Sequence, residues 1–178
     1  MRLPGILSLI ALASLDATAC SYPEPPPFSE ALSGATSVFV FRVEGTQLKR
    51  KDLPGEAYSE WVEASIRVVE TLKGTPSVAR VVSFSTGRCG GLRLDSGHYF
   101  LAAVAINASR IALMPADQSV VDITDEYAEG DPEATDNAGF IPVVRHAIAG
   151  APLPPGFPSP SLVHRSLQVG APPTPCDR

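Results

Sequence analysis

The chain has few of the residues that carry most enzyme chemistry. It has three histidines, His98, His146 and His164, and none stands at a metal-ligand spacing such as His-x-x-x-His. It has no Gly-x-Ser-x-Gly elbow. Residues 87–91 share only glycines with a phosphate loop and lack its Lys-Ser/Thr ending. Each histidine therefore reads as a surface or boundary residue, and neither a catalytic residue nor a cofactor is expected. Basic charge is also scarce: 14 Lys and Arg against 19 Asp and Glu leave a net charge of −5. Without a basic stripe, nucleic acid and anionic lipid are poor partners. Cysteine is limited to Cys20, Cys89 and Cys176, enough for one disulfide with one thiol left over. The apolar run at residues 3–15 is 13 long, short of the roughly 20 that a membrane-spanning helix needs.

That run has the layout of a secretory signal. Arg2 supplies the positive start, the apolar stretch follows, and Ala17-Thr-Ala19 suits cleavage before Cys20. Asp16 is a further argument against a membrane span. An ordinary N-terminal helix would leave an apolar stripe without a partner. Removing residues 1–19 from the 178 leaves 159, enough for one domain with its own core. The expected location is outside the cytoplasm, secreted or in a periplasm or cell envelope. There an odd cysteine count is worth following.

The mature chain opens with Cys20-Ser-Tyr22 and a near-polyproline stretch at residues 23–27. Residues 28–34 offer a short helix ended by Gly34. Strands are expected at 36–46, rich in β-branched and aromatic residues, and at 61–72, where Val62, Ala64, Ile66 and Val68 alternate with polar neighbours. A third is expected at 78–86, with Val82 and Phe84 on one side. Residues 48–59 read as a surface loop, and 73–76 and 95–97 as turns. The apolar run 99–106 reads as the most buried strand, forming a hairpin with 110–114 across the turn at 107–109. Asn107-Ala-Ser109 matches a glycosylation triplet, and the turn alone accounts for it. The acidic stretch 117–136 holds a weak strand at 119–123. It lacks the ligand spacing of an EF-hand loop, so a solvated face is the default over calcium binding. A helix is expected at 137–150, with Pro142 in its first turn and Val143, Val144, Ala147 and Ile148 on one face. From 151 to 178 the Pro-rich composition predicts a tail without packed structure.

About five strands of unequal length, a minor helix and no βαβ alternation predict an all-β domain over residues 20–150. They suggest a small closed or partly closed β-barrel. A β-sandwich is the competitor, with no Cys…Trp…Cys spacing to favour one of the immunoglobulin type.

The order of features resembles the netrin-like domain of the tissue inhibitors of metalloproteinases. The resemblance rests on a mature cysteine followed by Phe28-Ser-Glu-Ala-Leu32 and Val38-Phe-Val-Phe-Arg-Val43, then Val68-Val-Glu-Thr-Leu-Lys-Gly74. It continues through Ser85-Thr-Gly-Arg-Cys-Gly90 and Leu94-Asp-Ser-Gly-His-Tyr-Phe-Leu101. It covers roughly residues 20–106. It implies an OB-fold barrel whose N-terminal segment is fastened by a Cys20–Cys89 disulfide. It also implies a mechanism in which the free α-amine and carbonyl of Cys20 chelate the catalytic zinc of a target protease, with Ser21 and Tyr22 beside it. A neutral amine and an adjacent carbonyl form a five-membered chelate, and catalytic zinc keeps a position open for it. The chain departs from that family in two ways. It begins Cys-Ser-Tyr rather than Cys-x-Cys, and a Pro-rich tail stands where those inhibitors carry a second, cysteine-rich domain.

Two further uses of Cys20 compete with chelation. It can serve as a structural staple in a non-inhibitory envelope or adhesion module, since one fold hosts many functions. It can also be the lipidated residue of a lipoprotein, although Ala17 stands where such signals usually carry Leu. Lipidation would leave only Cys89 and Cys176 to pair. The sequence thus predicts a protein-binding module without enzymatic activity. Its partner is another protein, with a zinc protease the specific case, and a membrane enters only through lipidated Cys20.

Overall fold

A computed structural model describes residues 26–55, 58–75, 77–85, 91–114, 117–127, 139–158 and 167–168. In chain order the elements are α1 (Phe28–Gly34), β1 (Ser37–Asp52), β2 (Tyr58–Lys73), β3 (Val81–Ser85), β4 (Gly91–Leu92), β5 (Tyr99–Val104), β6 (Arg110–Leu113) and β7 (Val120–Asp122). A 3₁₀ turn (Thr124–Glu126), α2 (Phe140–Ile148) and β8 (Leu167–Gln168) follow. The protein is mostly β with two helices. One six-stranded sheet runs β6-β3-β2-β1-β5-β7 and does not close on itself. Every neighbour pair in it is antiparallel except β3 and β6, which are parallel.

β1 lies within this sheet and is buried on both faces. Val38, Phe39, Val40, Phe41 and Val43 are all 0% exposed. Phe39, Phe41 and Val43 point to one side, where they meet Ala64, Ile66, Val82, Phe84, Phe100 and Leu113. Phe41 stacks on Phe100 with ring centroids 5.4 Å apart. Val38 and Val40 point to the other side, where α1, α2 and the chain after α2 lie over Leu101, Ala103 and Val121. Burial on two faces explains why residues 38–43 are apolar almost without a break, with Arg42 the exception.

The helices cover the second face. The Pro27 carbonyl accepts N–H bonds from Glu30 and Ala31 at 3.0 and 3.1 Å and so starts α1. Phe28 and Leu32, four residues apart, put its apolar side on the sheet. In α2, Phe140, Ile141 and Val144 are buried, and Pro142 sits in the first turn, where its missing N–H costs nothing.

Several expectations are corrected. The stretch 48–59 is not simply a loop: β1 continues to Asp52 and β2 resumes at Tyr58, and the two form a long ribbon. Polar residues on both faces hid these strands, whose cross-strand partners include Arg50 with Glu60 and Lys49 with Trp61. The expected hairpin between 99–106 and 110–114 does not form. Both edges of β5 are occupied, by β1 and β7, so β6 crosses over to lie parallel with β3. β5 itself ends at Val104, and Ile106 is 74% exposed.

The tail expected to lack structure from 151 onward is packed over residues 151–158. Leu153 and Phe157 join the second cluster, and Phe157 contacts Phe140 and Phe28 with centroids 4.7 and 6.1 Å apart. Further on, Leu167–Gln168 pairs with Gly91–Leu92. Proline content marks the absence of regular hydrogen bonding, and aromatic packing needs none.

Gly74 lies in the expected turn at φ +82°, and a Cβ there would stand 2.3 Å from the Thr36 backbone oxygen. Gly74→Ala is therefore expected to lower unfolding free energy by about 2–4 kcal/mol, from left-handed strain plus a clash that no rotamer relieves. Urea denaturation of the two proteins side by side measures it, and an unchanged midpoint would contradict it.

Candidate functional site

Cys20, Ser21, Tyr22 and Cys89, the residues singled out as the disulfide and the protease-facing segment, lie outside the described residues, as do Cys176 and His164. What is described are their flanks. Pro27 is extended, with φ −62° and ψ 157°, and leads directly into the buried Phe28. On the other side Leu92, three residues after Cys89 in sequence, is buried in the first cluster.

The most developed polar cluster involves His98, which directly precedes β5. The Asp95-Ser-Gly97 turn delivers it. Gly97 takes φ +88°, its N–H bonds the Val43 carbonyl at 2.8 Å, and Val43 N–H bonds the His98 carbonyl at 3.0 Å. His98 Nδ1 is 2.9 Å from Asp122 Oδ2, and the other oxygen of Asp122 accepts from the Thr124 N–H at 2.9 Å and the Thr124 hydroxyl at 2.6 Å. Thr124 Oγ1 in turn accepts the Tyr99 N–H at 3.0 Å. A carboxylate facing Nδ1 assigns the proton of neutral His98 to Nδ1 and leaves the lone pair on Nε2. The cluster borders a pocket of about 250 Å³ with Arg93, Asp95 and Asp125.

Chemically this is an oriented base. Acyl transfer would also need a nucleophile within reach of Nε2. Among the described residues of the pocket lining the one hydroxyl, that of Thr124, already gives its proton to Asp122. What the arrangement does hold is β7 against β5 through side chains as well as backbone. Asp122 was not singled out in the sequence. Its signal is the Asp-x-Thr spacing, in which a carboxylate bonds the N–H two residues on.

A second cluster crosses the opposite half of the sheet. Glu63 Oε1 accepts from Arg110 on β6 at 2.6 Å and from the Trp61 indole N–H at 2.7 Å. The Arg110 guanidinium, and after it the Trp61 N–H, hold the Glu63 carboxyl below its ordinary value of 4.5. His146 lies on α2, beside Arg145, which pairs with Glu70 of β2. Asn107 is used structurally: its Oδ1 accepts the Val78 N–H at 3.1 Å. Among the described residues no group of three or more His, Cys, Asp or Glu side chains is placed to hold a metal ion, and no helix is long and apolar enough to cross a membrane.

Two outcomes follow from these clusters. Asp122→Ala, which strips an acceptor from three donors, is expected to cost about 1–3 kcal/mol in chemical denaturation. It should also raise hydrogen exchange in residues 99–104 and 120–122 ahead of the rest of the sheet. For Glu63 the sign is that of a depressed carboxylate: its stabilisation is present above the ordinary value and is lost as pH falls through the lower folded value. Wild type should thus melt higher than Glu63→Gln at neutral pH, and the gap should close as the pH drops below 4.5. A gap independent of pH would contradict the assignment.

No family model and no curated protein sequence matches this chain.

Proposed function

We propose that the chain is an exported, non-enzymatic protein-binding module on an OB-type, netrin-like barrel, with the mature N-terminus at Cys20 as an inhibitory element toward zinc metalloproteases. The observation that carries the reading is the strand order. β1, β2 and β3 follow one another antiparallel, β5 returns to the far edge of β1, and β6 lies parallel to β3. That order supports the reading as a partly open five-stranded Greek-key barrel parted between β5 and β6, with β7 added outside β5. Side chains from all five strands share one cluster, as a curled sheet requires: Phe41, Ile66, Phe84, Phe100 and Ile111 each come from a different strand.

The N-terminal segment gains its purpose from this frame. Phe28 is 1% exposed and anchors the near end of that segment to the second core. A Cys20–Cys89 disulfide would anchor the far end, contributing roughly 3–5 kcal/mol by closing a long loop. Fixing both ends before binding lowers the entropy lost on docking. The α-amine, with an ordinary pKa of about 8, is neutral in an appreciable fraction of molecules and can ligate a partner's zinc.

A second reading is favoured by one observation. At the outer end of the β1–β2 ribbon, Leu48 is 59% exposed, Tyr58 53% and Leu53 42%. An apolar ribbon end suits an adhesion or envelope module, with Cys20 a staple or a lipid attachment point.

The test is inhibition by mature protein whose free Cys20 amine and Cys20–Cys89 linkage have been verified by mass spectrometry. Zinc proteases at micromolar inhibitor should lose activity, and acetylating the amine should restore it. An uninhibited panel would end the inhibitory reading, and a diacylglyceryl mass on Cys20 would transfer the protein to the second.

A further inference from the structure

β2 is covered unevenly. On one edge it pairs with β1 from Tyr58 to Lys73, whereas on the other its ladder with β3 runs only from Trp61 to Ser65. One more bond, from the Ile66 N–H to the Arg80 carbonyl at 3.0 Å, closes that ladder. Then the two segments part. The N–H groups of Arg80 and Val81 donate to the Ser109 carbonyl at 2.8 and 3.2 Å, and the Val78 N–H donates to Asn107. These bonds hold residues 77–80 against the connection before β6. Between them and the rest of β2 lies a pocket of about 600 Å³, within the roughly 300–1,000 Å³ range of ligand sites.

The wall of this pocket is a strand edge. Along β2 the backbone N–H and C=O groups point alternately toward β1 and away from it. Two bulges, at Val69 and Leu72, interrupt that alternation, since Phe41 pairs with Val68 but Val40 with Glu70, and Phe39 with Thr71 but Val38 with Lys73. Bulges re-aim a strand and gather near binding sites.

The charge is one-sided. The Arg80 guanidinium lines the pocket, donates to the Ala79 carbonyl at 2.8 Å and meets no carboxylate among the described residues. Arg67 lines it too and shares Glu44 with Arg42. Glu70, the one carboxylate among the described residues of the lining, is held by Arg145 from α2. Among the described residues, the lining thus holds two guanidiniums, Arg67 and Arg80, on a chain whose net charge is −5.

We infer that this edge takes an extended, acidic peptide segment of a partner protein. The segment adds as a strand beside residues 67–71 and sets a carboxylate on Arg80. Backbone bonds to β2 supply affinity and do not depend on sequence, while the guanidiniums select acidic side chains over neutral ones. The proposal is separate from the chemistry of Cys20 and stands on different residues.

The experiment is fluorescence anisotropy of the full mature protein with a labelled hexapeptide of alternating Val and Glu. Three comparisons accompany it: the same peptide with Gln for Glu, a form N-methylated at alternate amides, and the protein variant Arg80→Ala. Saturable binding of the acidic peptide is expected, weakened about tenfold by either loss of charge and abolished by N-methylation. The methylated peptide leaves the protein untouched, so the comparison holds even if Arg80→Ala fails to fold. No binding, or equal binding of the methylated and plain peptides, would overturn the proposal. So would competition by inorganic sulfate alone at the peptide's own concentration, which would reduce the site to a small-anion pocket. Concentration-dependent dimerisation in sedimentation, with no peptide bound, would assign the edge to a second copy and overturn it as well. No protease enters the assay, so its failure leaves the inhibition test standing.

Discussion

A strand with water on neither face needs two separate covers, and β1 is such a strand between Val38 and Val43. One cover is made by side chains of the other strands, among them Ile66, Val82, Phe84 and Phe100, packed with Phe39, Phe41 and Val43. The other is made by α1, α2 and the chain after α2, laid over Val38 and Val40. Burying a Val or Phe side chain is worth roughly 1.5–3 kcal/mol, so each cover is held by several such terms. The aromatic contacts among Phe28, Phe140 and Phe157 serve the same end: they clamp three distant parts of the chain over one face of one strand.

The bulges reconcile two demands on β2. Its central residues Ala64 and Ile66 belong to the first cluster, while Val69 and Leu72 pack on the helix side. A strictly alternating strand could put only even or only odd positions on a given face. One extra residue at Val69 switches the faces and so admits Leu72 to the helix side, and another at Leu72 switches them back, without breaking the pairing to β1. On β1 the extra residue is Glu44, between the pairs Val43–Ile66 and Gly45–Ser65. There it stands beside Arg42 and Arg67 and accepts from both.

Much of this was legible in the sequence where local chemistry decides. The apolar run 38–43, the alternation of Val82 and Phe84, the turns at Gly74 and Gly97 and the helix around Pro142 all follow from residue type and spacing. What was not legible is set by distant partners. Nothing near residues 105–114 reveals that both edges of β5 are taken, which is why a hairpin was expected where a parallel crossover stands. The outer ribbon, residues 48–52 and 58–60, carries no hydrophobic period, because none of its side chains belongs to either core cluster. Leu153 and Phe157 sit among prolines, and their packing depends on Phe28 and Phe140, which no local pattern near residue 157 encodes. For the polar clusters, His98 reads as a surface or boundary residue and directly precedes β5, while its partner Asp122 lies 24 residues away in a stretch read as a solvated acidic face.

The parallel pairing of β3 with β6 also sets an order of assembly. The β1–β2 ribbon and its junction with β3 join neighbours along the chain and close short loops. The pairing of Val81 with Arg110 must wait for the intervening chain to fold back, and such non-local contacts come at a larger entropic cost. The Ser109 carbonyl and the Asn107 side chain that hold residues 77–80 away from β2 arrive with the segment before β6. The gap beside β2 is therefore a property of the fold with β6 docked rather than of the β2–β3 hairpin alone.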